Sequence, residues 1–137
     1  MIAAIGVMSV PGTAAWAAGP RVTPGQVAGP YYPSVKPGEA DWNLLSVGEG
    51  APPAGVPLEL RGTVSDRRGQ PVVGARVEIW QCDDQGIYDH PRDEKRDDFD
   101  RRFQGFGALE TGGGGHYRFL TLMPVPYPGR PPHIHVM

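Results

Sequence analysis

Four residues near the C-terminus have types and spacing that could do chemistry: Tyr127, Arg130, His133 and His135. They sit in the run Pro126-Tyr127-Pro128-Gly129-Arg130-Pro131-Pro132-His133-Ile134-His135. Successive side chains of an extended chain point to opposite sides, so His133 and His135 point the same way. Two imidazoles aimed at one point make a pair of metal ligands. Tyr127, held in a Pro-rich turn, can approach the same point as a phenolate. Imidazole with phenolate favours ferric iron, whereas imidazole alone would also suit zinc or copper. An isolated H-x-H pair is equally what an ordinary strand with two exposed histidines looks like.

Those residues need elements to hold them. From Leu58 to Asp66 the pattern alternates, with Leu58, Leu60, Gly62 and Val64 on one face, which predicts a half-buried strand. Asp66-Arg67-Arg68-Gly69 reads as a turn. Val73, Ala75, Val77 and Ile79 define one face of a second strand, with Trp80 on the other, and the two strands are expected to pair as a hairpin. The charge-dense stretch from Asp89 to Arg102 reads as a solvated loop. Gly112 to Gly115 form a flexible turn. Tyr117, Phe119 and Thr121 share one face of a further strand, and Pro132 to Met137 begin another. No internal repeat and no long amphipathic helix is visible. The expected fold is all-β, a β-sandwich with long functional loops.

The chain has 137 residues and a net charge of −2, with an isoelectric point near 6.0. That length suggests one domain with a modest core. The charge gives no case for nucleic acid or an anionic membrane surface as partner. The 20 Gly and 16 Pro residues punctuate apolar segments instead of forming a uniform tract. Cys82 has no partner for an intrachain disulfide and reads as a half-buried small hydrophobe. Residues 1–18 are apolar, and Ala15-Trp16-Ala17 has the form of a signal-peptidase site, yet no Lys or Arg precedes Arg21. An export leader without its basic start and a disordered tail are the alternatives, giving a periplasmic or secreted protein in the first case and a cytoplasmic one in the second. The stretch is too short for a transmembrane helix. Residues 19–56 read as an extended Pro/Gly-rich arm and residues 57–137 as the sandwich core.

The motifs together resemble one family. They are Gly29-Pro30-Tyr31-Tyr32, the Leu60–Gln81 segment with Val64-Ser65-Asp66 and Gly69-Gln70-Pro71-Val72-Val73-Gly74-Ala75, then Gly86-Ile87-Tyr88, then the P-Y-P and R-P-P-H-I-H run. From about residue 23 to 137, in order, they resemble the intradiol ring-cleavage dioxygenases, most of all the protocatechuate 3,4-dioxygenase-like branch. The short distance before Gly29 also favours that branch, because the catechol 1,2-dioxygenases carry a helical segment there. The resemblance implies a prealbumin-like β-sandwich and an Fe(III) centre held by Tyr88, Tyr127, His133 and His135, with Tyr127 and His135 axial. It implies Arg130 and the displaceable Tyr127 as catalytic residues. It implies a catechol-type substrate opened by O₂ between its two hydroxylated carbons to a cis,cis-muconate, and an oligomer as a possible assembly. Family members continue beyond H-I-H, so the sandwich is expected to be incomplete at its C-terminus. The alternatives are a non-catalytic prealbumin-like binding module, an inactive gene fragment, and a zinc domain using His133 and His135. Tyr31 and Tyr32 would line the pocket mouth or simply pack, while His90 and His116 are not expected to be ligands.

Overall fold

A computed structural model describes residues 21–34, 41–47 and 50–137. The leader-or-tail reading of residues 1–18 lies outside the described residues, as does part of the 19–56 arm. The strands are β1 (Pro57–Thr63), β2 (Arg76–Trp80), β3 (Phe106–Glu110), β4 (His116–Leu122) and β5 (His135–Val136). β1 and β4 pair antiparallel, from Pro57 opposite Leu122 to Thr63 opposite His116. The second sheet has the order β3-β2-β5, with both pairings antiparallel. The two sheets form a β-sandwich. Val77, Ile79, Phe119 and Leu122 meet between them, joined by Leu44, Ile87, Phe99 and Phe103 from loops.

The alternation in β4 has the expected result: Phe119 and Thr121 are buried and Arg118 is exposed. β2 behaves differently, because every residue after Arg76 is buried. Val77 and Ile79 face the inter-sheet core. Trp80 turns the other way, into a second cluster with Cys82, Tyr88, Phe106 and Ala108. A strand covered on both faces belongs in the middle of a sheet. Hence β2 takes β3 and β5 as neighbours.

That placement corrects the hairpin expectation. β1 and β2 meet only at a Ser65–Pro71 bridge and then part into different sheets. The turn between them is real: the Asp66 carboxylate accepts from the Arg68 and Gln70 amides, and Gly69 takes a φ of 78°. Past it the chain swings away at Gly74, φ 76°, and Val73 is left 64% exposed instead of facing the core. The charge-dense segment also departs from a simple solvated loop. It contains a short 3-10 turn at Arg96–Asp98 and buries Phe99 and Phe103. Its charges pair locally, Asp89 with Arg96 and Arg101, and Asp100 with Arg102. Residues 41–45 strap one side: the Leu44 amide donates to Leu120 O, and Leu44 O accepts from the Gln104 amide.

Candidate metal centre

The site lies on the outer face of the β3-β2-β5 sheet. Trp80 and His135 are direct partners in the β2–β5 ladder. Cross-strand partners share a face, and here the two rings stack at 4.7 Å with 3° between their planes. His133 precedes the strand proper, but the period-two expectation holds: its Nε2 is 3.2 Å from His135 Nε2. The other nitrogen, His133 Nδ1, is 2.6 Å from Pro131 O. A carbonyl can only accept, so that nitrogen carries a proton, and it is Nε2 that faces His135 and Tyr127. Tyr127 is delivered by a turn of its own. The Arg130 amide donates to Tyr127 O at 2.9 Å, with Pro128 second and Gly129, φ 78°, third. Pro then Gly at these positions is what a type II turn requires. Tyr127 Oη ends 3.5 Å from His133 Nε2.

Tyr88 arrives from a different loop. Gly86 takes a φ of 79°, and a Cβ there would lie 2.9 Å from Pro126 O and 3.3 Å from Tyr127 Cβ. The glycine of G-I-Y therefore lets the Tyr88 loop press against the Tyr127 segment. The Tyr88 and Tyr127 rings are 5.4 Å apart at 90°, and Tyr88 and His135 are 6.3 Å apart. Tyr31 stacks on Tyr88 at 4.5 Å, and Tyr32 meets Trp80 edge-on at 4.9 Å and donates to Glu78. His116 stands elsewhere, its Nδ1 against Thr63 Oγ1, whereas His90 packs edge-on to Tyr31 at 5.8 Å with its Nδ1 accepting from the Arg92 amide. Cys82 is fully buried, where half-burial was expected, and burial pushes its thiol up to about 11.

The donor chemistry fits a metal cation. The Tyr88 hydroxyl is buried without a hydrogen-bond partner. Burial, with Cys82 and Tyr127 nearby, holds its pKa far above the ordinary phenol value. An orphaned buried hydroxyl costs about 1–3 kcal/mol, and a bound cation would satisfy it while driving off its proton. His135 is held neutral: burial, then His133, then Arg130 bring its pKa down to about 4. Two nitrogens about 2.1 Å from one cation stand roughly 3 Å apart, close to the separation of the two Nε2 atoms. Among the described residues no three His, Cys, Asp or Glu side chains converge, so the histidine pair needs the phenols to complete a donor set. Arg130 is exposed and lines the same cleft, of about 740 Å³, with Gly29, Pro30, Tyr127, His133 and His135.

Residues 27–136 match the family model described as Dioxygenase. The chain belongs to the intradiol ring-cleavage dioxygenase family. Among curated members it is 44% identical over 69 residues to hydroxyquinol 1,2-dioxygenase of Corynebacterium glutamicum, covering 50% of this chain and 21% of that one. It is 38% identical over 100 residues to the protocatechuate 3,4-dioxygenase beta chain of Burkholderia cepacia, covering 68% and 41%. Its fold is similar to the intradiol ring-cleavage dioxygenase of Tetranychus urticae, with a TM-score of 0.61 and 31% identity over 79% of this chain and 53% of that one. The chain thus spans less than half the length of these two curated dioxygenases. Their names divide between hydroxyquinol and protocatechuate and do not single out the protocatechuate-like branch.

Two parts of the site were not read from the sequence. One is the stacking of Trp80 on His135, which depends on a β2–β5 register that no local pattern carries. The other is Asp83, whose Oδ1 accepts from the Gln85 and Ile87 amides of the loop that leads to Tyr88. Its signal is Asp83-Asp84-Gln85-Gly86, an Asp followed by a Gly at turn spacing.

Proposed function

We propose that this chain carries a non-haem Fe(III) centre for intradiol cleavage of a catechol-type substrate by O₂, opening the ring between the two hydroxylated carbons to a cis,cis-muconate. Tyr88, Tyr127, His133 and His135 are the residues that would hold the iron. One observation carries the reading: side chains from two separate loops and a strand meet at one point, and the deepest of them, Tyr88, has a buried hydroxyl with no partner.

Iron bound there would draw electron density from a coordinated catecholate and so open its ring to O₂. The protein's own residues do the rest. Tyr127 is half-buried at the cleft, beside His133 Nε2; its Oη is the group placed to take a proton from a substrate hydroxyl. Tyr88 is buried behind it and serves as an anchor. Trp80 covers one face of His135 and excludes water there. The Arg130 guanidinium, at the cleft wall, stabilises negative charge that develops on the ring. An ortho-diol is the feature common to the substrates that name the relatives.

Reconstitution tests this. The full chain with Fe(III) should show a broad visible band and a high-spin ferric EPR signal. Tyr88→Phe and His133→Ala should each weaken iron by more than the roughly 10–100-fold that outer contacts contribute. A folded protein that stays colourless with iron, or one that takes up zinc with His133 and His135 independently of Tyr88, would overturn the ferric reading.

A further inference from the structure

Tyr88 is set in place by its backbone. Its hydroxyl has no hydrogen-bond partner, and its ring is held only by packing, against Tyr31, Tyr127 and His135 and within the cluster of Cys82 and Ala108. The main chain around it is bound tightly, and the acceptors are carboxylates. Asp83 is 1% exposed. Its Oδ1 accepts from the Gln85 and Ile87 amides at 2.9 and 3.0 Å, and its Oδ2 accepts from the Asp100 amide at 3.0 Å. The Asp83 amide in turn donates to Ile87 O at 2.8 Å. On the other side, the Tyr88 amide donates to Asp93 Oδ2 at 2.8 Å. Hydrogen bonds to an ionised acceptor are roughly twice as strong as neutral ones. A carboxylate buried this deeply, with three amide donors, is an expensive device for closing a loop.

The two oxygens of Asp83 reach two different segments. Oδ1 shapes the 83–87 loop that ends at Tyr88. Oδ2 holds Asp100, on the charge-dense segment that also supplies Asp93. We propose that Asp83 is a positioning residue for the iron site: through the Ile87 and Asp100 amides it locks both segments that fix the Tyr88 backbone, and so sets where the Tyr88 oxygen stands. This rests on the reading of Tyr88 as an iron ligand, and it adds a residue that never touches the metal.

Asp83→Asn is the informative variant. Its amide oxygen can still accept from Gln85 and Ile87, but its NH₂ group then meets the Asp100 amide, donor against donor. Asp66→Asn is the control, because Asp66 accepts two turn amides in the same way at a distance from the site. In the metal-free full chain, tyrosine-labelled NMR reads the Tyr88 ring, which lies under the ring current of Tyr31, and hydrogen exchange reads the Asp100 amide. Asp83→Asn should move the Tyr88 resonances and speed Asp100 exchange, whereas Asp66→Asn should do neither. With Fe(III), Asp83→Asn should lower iron affinity about tenfold and shift the visible band. Unmoved Tyr88 resonances in Asp83→Asn overturn the proposal, even if iron binds more weakly, because weaker binding alone would reflect lost charge. A wild-type chain without colour defeats the ferric reading, and the metal-free measurements still decide the role of Asp83.

Discussion

At the scale of single residues, Arg130 separates binding from catalysis. It lines the cleft with Tyr127, His133 and His135 yet cannot itself be a ligand. Arg130→Ala should therefore keep iron and colour, while ring cleavage falls about a hundredfold, the scale of one lost preorganised contact. Arg130→Lys should recover little, since it keeps the charge but not the planar fork. Oxygen uptake with several catechols, read beside the visible spectrum, checks this; loss of colour would make Arg130 structural. His135 gives a second prediction. Its folded pKa, about 4, lies below the ordinary 6.5. The native state thus binds fewer protons between those values, so metal-free stability is complete above about 6.5 and declines as pH falls toward 4. Asp100, brought down from 3.8 to about 2 chiefly by its hydrogen bonds from Arg102, acts in a lower window, between those two values. Denaturant titrations of the metal-free protein from pH 7.5 to 4 should show the slope, and His135→Gln should remove it. At this scale much was legible. The i,i+2 histidines and the Tyr127-Pro128-Gly129-Arg130 turn follow from local stereochemistry. Tyr31 over Tyr88 did not, because the arm and the loop are far apart in sequence and only packing brings them together.

At the scale of elements, the site depends on how closely two loops approach. Gly86 and Gly74 both have positive φ, 79° and 76°. A Cβ on Gly86 would strike Pro126 O at 2.9 Å, whereas nothing lies within 4 Å of one on Gly74. Gly74→Ala should then cost about 1–2 kcal/mol from backbone conformation alone. Gly86→Ala adds steric strain of about 1–3 kcal/mol and should also weaken iron, because it pushes the Tyr88 loop off the Tyr127 segment. Urea unfolding paired with iron titration distinguishes them, and identical behaviour of the two variants would show that the close approach does not matter. β1, β2, β4 and β5 were legible from alternation; β3, five residues with a glycine at its second position, was not, and neither were the partners of the strands. β1 and β2 are neighbours in sequence and looked like a hairpin, yet β2 is buried on both faces, with Val77 and Ile79 on one and Glu78 and Trp80 on the other, and takes strands on both sides. Likewise, the charges of residues 89–102 masked Phe99 and Phe103, two core residues in a segment whose composition is otherwise that of a loop.

At the scale of the whole molecule, the all-β reading followed from short alternating segments between Gly and Pro, and the structure bears it out. What composition could not show is how unevenly the two sheets cover each other. Among the described residues the β1-β4 sheet has two strands and faces a sheet of three. Val136 is paired with Ile79, which is wholly buried in the inter-sheet core, yet Val136 itself remains 52% exposed and Met137 56%. β5 is also an edge strand of two residues, bonded to β2 on one side only among the described residues. Partly uncovered apolar side chains beside an open edge favour pairing with another chain. A net charge of −2 offers little repulsion against it. The 137-residue chain should therefore associate as its concentration rises. Sedimentation velocity over a tenfold concentration range measures this. Val136→Lys, which places a charge on that edge without touching the metal donors, should shift the distribution toward monomer while leaving iron binding intact. A chain that stays monomeric throughout, or a lysine variant that associates as the parent does, would show that this edge is closed to partners and that the half-covered face of β5 is tolerated as ordinary surface.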